Sequence, residues 1–220
     1  MKWLVNIAQT DDGGTLSLVE ASSRFSPQKD SHSDDQVPTI HANGNPKSLV
    51  DVVLSRRSIR HYERKEIPRD VLEKILEAGR QAPSAMNRQP WHFIVLADDE
   101  IKKELSKWLF TRHIKNSPIT IVGCANNGFL NKKWSIIGTS AALENMVITA
   151  WAMGVGSCWI GGFNEDKVKQ LLNIPGNWKV VALVSLGYPR GNPHQKRRKP
   201  LEKITSINKF QESSTSALER

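Results

Sequence analysis

The feature of this sequence that most restricts its fold is a charge-free stretch of 20 residues, NMVITAWAMGVGSCWIGGFN, from Asn145 to Asn164. Its length alone would suit a membrane-spanning helix, which needs about 20 apolar residues. However, glycines interrupt its second half, at Gly154, Gly156, Gly161 and Gly162, and glycine weakens a helix interior. We therefore predict a buried helix that ends near Gly154, followed by a short buried strand, in a protein with no membrane partner.

The helix of this stretch extends back to about Ile136 and is apolar on nearly every face, which predicts burial by more than one neighbour. Helical spacing predicts further helices in SLVDVVLSRRS, IPRDVLEKILEAGRQAP, DEIKKELSKWL and NEDKVKQLLNI, with Pro68 in the first turn of the second and Asn164 opening the last. Strands are predicted in WHFIVLAD, PITIVGCAN, GSCWIGG and WKVVALVSLGY, the last with parallel-sheet character. This pattern indicates an α/β or α+β domain of three layers, with about four strands and five helices.

The composition changes along the chain and suggests three regions. Residues 1–45 are rich in Ser, Asp, Gly and Asn and contain few apolar groups, which predicts a mostly disordered leader. Residues 46–210 carry the helical and strand patterns of one folded domain, and residues 211–220 are expected to form a flexible tail. Within the domain, GNPHQKRRKPLEKITSINKF lacks a core pattern and is predicted to form an arm.

The formal charge of +9 is unevenly distributed. The first 45 residues hold 3 basic and 6 acidic side chains, whereas the rest of the chain holds 28 basic and 16 acidic ones. The basic residues concentrate at 56–65 and at 196–199. Aromatic residues are not interleaved with them in an RNA-binding pattern, and the sequence has no helix-turn-helix or zinc-ligand spacing. Two compact clusters suit one phosphate group better than a long polyanion, so we predict no nucleic-acid partner. A non-enzymatic basic nucleic-acid-binding module is the alternative from another class.

The two cysteines, Cys124 and Cys158, lie inside apolar runs. A disulfide framework is therefore not expected, and a reducing cytoplasm is the predicted location. Neither cysteine has a neighbour at metal-ligand spacing, so no metal site is predicted, and Cys158 is expected to pack in the core. The sequence also lacks the glycine-rich phosphate loops of dinucleotide-binding and P-loop proteins.

In SRRSIRHY, Arg56, Ser58 and Arg60 alternate at the end of a predicted helix. If the chain is extended there, alternate residues project to one side, and two guanidiniums with a hydroxyl between them would form a phosphate cradle. The alternative is a solvated basic turn. The second basic cluster, in KRRKP, would gain a role only if the arm folds back onto the same phosphate.

Two further segments carry polar or small residues where a plain connection would not need them. In PSAMNRQPWHF, Asn87 and Gln89 each offer a donor and an acceptor, which suits the edge of a planar ring with alternating C=O and N–H groups. In GSCWIGGF, Gly161 and Gly162 follow a strand and would let a ligand approach the backbone closely. The alternatives are a connecting loop and an ordinary strand-to-helix turn.

Over roughly residues 48–204, the chain resembles the nitroreductase family of flavin enzymes in the order and spacing of five segments. These segments are SRRSIRHYERKEIP, APSAMNRQPWHF, GSCWIGGF, LGYPRG and KRRKPLEKI. The resemblance implies an α+β, three-layer α/β/α domain with a central, mainly antiparallel mixed sheet, in an intertwined homodimer whose core is the long helix. It also implies an FMN-dependent oxidoreductase that takes hydride from NADH or NADPH. By a ping-pong mechanism, such an enzyme reduces nitroaromatics, quinones or similar small-molecule electron acceptors. A specialised flavin-destroying or dehalogenating enzyme is the alternative within the fold.

The resemblance also assigns cofactor-binding residues, and no catalytic side chain, because the hydride step needs no acid or base from the protein. The basic segment would hold the FMN phosphate and ribityl chain through Arg56, Arg57, Ser58 and Arg60, and the arm would close on the phosphate through Lys196 and Arg198. The polar loop would touch the flavin from the partner subunit through Pro83, Ser84, Asn87 and Gln89. The glycine turn would place the backbone N–H of Gly161 near flavin N5, with Gly162 beside it.

Overall fold

A computed structural model describes residues 48–126, 132–191 and 193–211. The predicted leader over residues 1–45 lies outside the described residues. The predicted tail over residues 211–220 lies outside them too, apart from Gln211. The account that follows therefore concerns the predicted folded domain.

The core of the domain is a four-stranded sheet with the order β1-β2-β4-β3. Its strands are β1 Trp91–Leu96, β2 Ile119–Asn126, β3 Gly156–Ile160 and β4 Trp178–Gly187. Every neighbouring pair is antiparallel, so the predicted parallel character of the last strand is wrong. β4 is apolar along most of its length because helices cover both faces of the sheet, and that burial produces the same pattern in either strand direction.

An extended segment beside β3 gives the sheet its mixed character. Ser58 pairs with Ser157 of β3 in the parallel direction, and Tyr62 pairs with Pro189 in the antiparallel direction. Tyr62 is buried here, and its hydroxyl lies 2.6 Å from the Ile59 carbonyl oxygen and 2.7 Å from Ser185 Oγ. The segment is thus fixed along the edge of the sheet, in agreement with the α+β fold and the mainly antiparallel mixed sheet.

The described residues contain five α-helices, as expected. They are α1 Leu49–Ser55, α2 Arg69–Arg80, α3 Asp99–Leu105, α4 Lys132–Ala152 and α5 Glu165–Leu171. The Asn164 side chain caps α5 by accepting a hydrogen bond from the Lys167 backbone N–H, as predicted. Pro68 lies one residue earlier than expected, at the N-cap of α2. Short 3₁₀ turns occupy Ala85–Asn87, Leu109–Thr111, Ile114–Asn116 and Leu201–Lys203.

The helices form a layer on each face of the sheet, which gives three layers. On one face, α2 and α4 enclose a core that includes Ile75, Leu143 and Ile121. On the other face, α3, α5 and the turn at 114–116 enclose a second core that includes Leu105 and Val122. The neighbouring residues Ile121 and Val122 of β2 serve opposite cores because side chains alternate along a strand.

The long helix α4 is buried by several neighbours, as its apolar surface predicts. It contacts α1, α2 and all four strands, and Val147 is only 2% exposed within this single chain. Trp134 and Ile137, near its start, remain exposed. Because β3 follows α4 directly, the charge-free stretch is indeed a buried helix and a buried strand. Within the described ranges, no helix is long and apolar enough to cross a membrane.

Both cysteines are free thiols in the core beneath α5. Burial raises the pKa of the Cys124 thiol to about 11 and also raises that of Cys158. A thiol with a raised pKa is a poor nucleophile at neutral pH. The prediction that Cys158 packs in the core is therefore confirmed.

Candidate functional site

The basic segment after α1 is extended, which was the condition for a phosphate cradle. The Ile59 backbone N–H donates to the Ser157 carbonyl oxygen at 2.8 Å, and the Ile59 side chain is buried. Ser58 and Arg60, on either side of it, are exposed. Because Ser58 pairs with Ser157 in the parallel direction, the basic segment runs toward the end of β3.

The C-terminal arm returns to this segment. Burial, followed by the charges of Arg198 and Arg56, lowers the pKa of the Arg57 guanidinium. Arg57 donates from one terminal nitrogen to the carbonyl oxygens of Leu54 and Arg56, each at 2.9 Å, while its Nε is buried and has no partner among the described residues. The two basic clusters therefore come within electrostatic reach of each other at Arg57 and Arg198. Lys196 is exposed two residues earlier in the arm.

Arg56 and Arg60 complete a guanidinium group, by which we mean Arg56, Arg57, Arg60 and Arg198. Burial raises the pKa of the Cys158 thiol in β3, and the charges of Arg60 and Arg56 oppose that rise. Both arginines thus lie within electrostatic reach of the same strand. Four like charges at one edge repel one another, and a bound anion would relieve that repulsion.

The glycine turn lies where β3 ends. A Cβ atom at Gly161 would meet nothing within 4 Å, so its backbone faces open space. A Cβ at Gly162 would come within 2.9 Å of Cδ2 of Phe110, whose side chain is 67% exposed. A planar ligand can therefore approach the backbone at Gly161, beside an exposed aromatic ring.

Glu165, the first residue of α5, anchors the elements that flank this turn. Its carboxylate accepts hydrogen bonds from the Val180 backbone N–H at 3.1 Å and from Lys179 Nζ, and it pairs with Lys169 Nζ at 3.2 Å. Burial raises the pKa of the carboxyl, but these interactions more than offset that rise, so the net pKa is lowered. The start of α5 is thereby tied to the start of β4, which restricts the turn that precedes α5.

The segment between α3 and β2 supplies two residues at this site that the sequence did not reveal, Phe110 and His113. His113 Nε2 is buried and has no hydrogen-bond partner among the described residues. Burial, with the charges of Arg60 and His61, lowers the pKa of His113 to about 4, so the imidazole is neutral at pH 7. The segment has no helical or strand period, and the only signal was an aromatic residue and a histidine in an irregular connection.

The polar loop from Pro83 to Pro90 is strained. Met86, Asn87 and Gln89 have φ angles of 53°, 54° and 49°, in the left-handed region, which costs a residue other than glycine roughly 1–3 kcal/mol. The Gln89 backbone N–H donates to Ser84 Oγ at 2.9 Å, and Gln89 Nε2 donates to the Asn87 carbonyl oxygen at 3.2 Å. Asn87 and Gln89 are exposed. A plain connecting loop does not require such strain, which is typical of ligand-contacting segments.

The polar loop and the glycine turn lie at opposite edges of the sheet. The loop leads into β1 and packs on α4, where a Cβ at Gly138 would lie 3.4 Å from Ser84 Cβ. Strands β1 and β3 are the two edge strands, and three strand spacings separate them by about 14 Å. Within one chain, the structure therefore does not bring Asn87 and Gln89 to Gly161.

Comparisons with known proteins agree on one family. A model of the Nitroreductase family matches residues 53–119 and 130–188. A curated protein from Archaeoglobus fulgidus, named a putative NADH dehydrogenase/NAD(P)H nitroreductase, is 41% identical over 152 residues, which are 66% of this chain and 87% of that protein. The solved structure of a nitroreductase family protein from Clostridium novyi NT matches with a TM-score of 0.62 and 37% sequence identity. The match covers 65% of this chain and 86% of the Clostridium novyi chain. The solved structure of an FMN-dependent nitroreductase from Clostridium difficile matches with a TM-score of 0.65 and 29% sequence identity. The match covers 72% of this chain and 98% of the Clostridium difficile chain.

Proposed function

Because this chain belongs to the nitroreductase family, and with it to the NAD(P)H-dependent oxidoreductases, we propose that it reduces nitroaromatics, quinones or similar small acceptors by a ping-pong mechanism that uses FMN. Similarity supports the cofactors: one relative is named for NADH and NAD(P)H, and one solved structure for FMN. The observation in this chain that carries the proposal is the guanidinium group on the segment that pairs with β3, together with the open backbone of Gly161 where that strand ends.

The guanidinium group fits the phosphate of FMN. Arginine donors engage phosphate oxygens in pairs, and the buried, unpartnered Nε of Arg57 is a donor that a phosphate oxygen would satisfy. Ser58, exposed between Arg57 and Ile59, would donate its hydroxyl to the ribityl chain or the phosphate. Lys196 would add a further positive charge from the arm.

The glycine turn suits the ring of the cofactor. When bound, FMN supplies the hydride-transfer chemistry, and the protein supplies orientation and electrostatics. The open backbone at Gly161 would donate its N–H to a ring nitrogen, with Gly162 beside it, and Phe110 would border the space in which donor and acceptor bind in turn. The positive charge of the guanidinium group would stabilise negative charge that develops during the reaction. We assign no catalytic side chain.

We propose an intertwined homodimer because a single chain leaves the site incomplete. If Pro83, Ser84, Asn87 and Gln89 contact the same ring as Gly161, they must come from a second chain, since about 14 Å separates the two edges of the sheet. The described surface also carries apolar side chains that this chain leaves exposed, in α1, α4 and the arm. They are Leu49, Val50, Val53, Leu54, Trp134, Ile137, Leu201, Ile204, Ile207 and Phe210. Exposed apolar groups on this scale are typical of an interface.

Two observations bear on the nucleic-acid-binding alternative and on the cellular location of the protein. The partial burial of Arg57 favours a compact anion over a long polyanion, and therefore disfavours a nucleic-acid-binding module. The free thiols of Cys124 and Cys158 are compatible with the cytoplasm, where we place the protein.

The proposal can be tested on the purified full-length protein. We expect flavin absorbance in proportion to protein, and oxidation of NADH or NADPH that depends on a quinone or a nitroaromatic. Recovery of the flavin spectrum after turnover would support a reductase. Permanent loss of flavin would indicate a flavin-destroying enzyme, and release of halide a dehalogenating one. A colourless protein that binds DNA with a steep salt dependence would contradict the proposal.

A further inference from the structure

A cavity of about 570 Å³ is lined by none of the residues assigned to the flavin. Residues 61–66, which continue the extended basic segment, form one wall. Residues 115–118, which lead into β2, form another wall, and Arg190 also lines the cavity. Sites for small molecules usually measure about 300–1,000 Å³, so the volume suits a ligand smaller than a complete dinucleotide.

One wall of this cavity is held in place by a buried lysine. Lys102 is only 3% exposed, and its Nζ donates to the carbonyl oxygens of Ser117 at 2.9 Å and Pro118 at 3.1 Å. It also pairs with the Asp99 carboxylate at 2.9 Å and thereby lowers the pKa of that carboxyl. All three Lys102 protons are used, so Lys102 fixes the wall and neutralises Asp99 without offering a donor to a ligand.

Other charges that line the cavity are not neutralised. Arg64, Lys115 and Arg190 make no ion pair with any residue in the described part of the chain, and neither do Glu63 and Glu66. Lys65, by contrast, lies over the Tyr188 ring, with its Nζ 4.1 Å from the ring centre. The cavity therefore presents three unpaired cations and two unpaired carboxylates to the same space.

This combination has a specific chemical complement. Two guanidiniums and an ammonium suit a phosphate group, and carboxylates accept hydrogen bonds from ribose hydroxyls, as they do in dinucleotide-binding folds. We propose that the cavity binds the phosphorylated ribose of a nucleotide, at a site separate from that of FMN. The phosphate would lie among Arg64, Lys115 and Arg190, with the ribose toward Glu63 and Glu66.

The lining of the cavity begins at His61, the residue after Arg60, which suggests one source for the nucleotide. Arg60 belongs to the guanidinium group and the next residue, His61, lines the cavity, with the His61 carbonyl oxygen accepting from the Arg190 backbone N–H at 2.9 Å. At about 3.3 Å per extended residue, Arg64 lies roughly 13 Å along the chain from Arg60. The adenosine end of NADH or NADPH is thus one source of the phosphorylated ribose, a suggestion that rests on the proposed function, and a free nucleotide is the other.

The direct test is calorimetric titration of the FMN-loaded protein with 2′,5′-ADP and with 5′-AMP. We expect Arg64→Ala, Lys115→Ala and Arg190→Ala each to weaken binding about tenfold, the effect of losing a hydrogen bond to a charged group. Arg69→Ala and Lys103→Ala remove exposed cations outside the cavity and should retain wild-type affinity. Flavin absorbance followed during the titration shows whether the nucleotide displaces FMN.

No binding to the wild type, equal binding by all three cavity variants, or release of FMN by the nucleotide would overturn the proposal. If the cavity variants bind the nucleotide more weakly and have a raised KM for NADPH or NADH at unchanged kcat, the hydride donor is the source of the phosphorylated ribose. Weaker nucleotide binding with unchanged KM for both donors identifies a free nucleotide. Because the titration needs no turnover, an absence of nucleotide binding in the cavity can be distinguished from an absence of the proposed reductase reaction.

Discussion

Arg198 of the C-terminal arm lies within electrostatic reach of Arg57 at the end of α1, and its charge adds to burial, the larger cause, in lowering the pKa of Arg57. Two arginines from opposite ends of the domain thus act on each other electrostatically, and Arg56 adds a third positive charge. Such an arrangement is unfavourable in the absence of an anion. It is therefore the feature of this chain that most clearly indicates an anionic ligand.

Arg198→Ala should weaken FMN binding by about 1.5–3 kcal/mol, since it removes a hydrogen bond to a charged group. The same change should leave the FMN-free protein as stable as the wild type or slightly more stable, because it removes repulsion. Fluorescence titration and urea unfolding measure the two effects. Arg197→Ala, at the exposed neighbouring position, is the control. Equal FMN affinities in the two variants would place the phosphate elsewhere.

Gly161→Ala should separate ligand binding from folding. A Cβ at Gly161 meets nothing within 4 Å in the protein, so the free energy of unfolding without FMN should change by no more than about 0.5 kcal/mol. The methyl group would instead occupy the space assigned to the flavin ring, so FMN affinity and NAD(P)H oxidation should fall. Gly176→Ala, where a Cβ is equally unobstructed, is the matched control. If Gly161→Ala binds FMN and turns over normally, the turn does not contact the ring.

Ile137→Asp should dissociate the proposed dimer and release FMN while the chain stays folded. Ile137 is 47% exposed on α4, whereas Val147 of the same helix is buried in the core of its own chain. A charge at Val147 would therefore unfold the chain, because a buried charge without a partner is strongly unfavourable. Sedimentation detected at protein and flavin wavelengths measures assembly and cofactor together, with Ile137→Leu as the control. A folded monomeric Ile137→Asp variant with stoichiometric FMN would refute the shared site.

His113 should make stability depend on pH between about 6.5 and 4. Its pKa is about 4 in the folded chain because of burial and the charges of Arg60 and His61, whereas an unfolded histidine titrates near 6.5. The unfolded chain therefore binds more protons in this window, and the free energy of unfolding falls as the pH is lowered through it. Allowing for solvent screening, we expect a loss on the order of 1 kcal/mol.

Urea unfolding at pH 7.5 and pH 5 measures this loss. His113→Asn should remove it, and His194→Asn, in the exposed arm, should retain it. An identical loss in the wild type and His113→Asn would show that other groups cause the pH dependence.

The two residues that border the site, Phe110 and His113, show why part of it could not be predicted. Helices and strands were recognisable because apolar spacing repeats over a few residues, and Asn164 was recognisable as a cap because it bonds a backbone N–H three residues away. Phe110 and His113 lie in a connection without such a period. The importance of Phe110 depends on its closeness to Gly162, and that of His113 on burial and the charge of Arg60, and both partners are distant in sequence.

By itself, the sequence determined the buried helix and strand at residues 145–160, the three-layer arrangement and the segments that carry the candidate cofactor-binding residues. It could do so because local periodicity and residue chemistry depend on neighbours along the chain. The residue pattern of β4 did not give its direction, because a strand covered on both faces is apolar in either direction, and the tertiary structure shows it to be antiparallel. The tertiary structure also decided that Arg198 comes within electrostatic reach of Arg57, while the polar loop lies at the opposite edge of the sheet from Gly161. Such distances depend on the path of the whole chain, which no local pattern records.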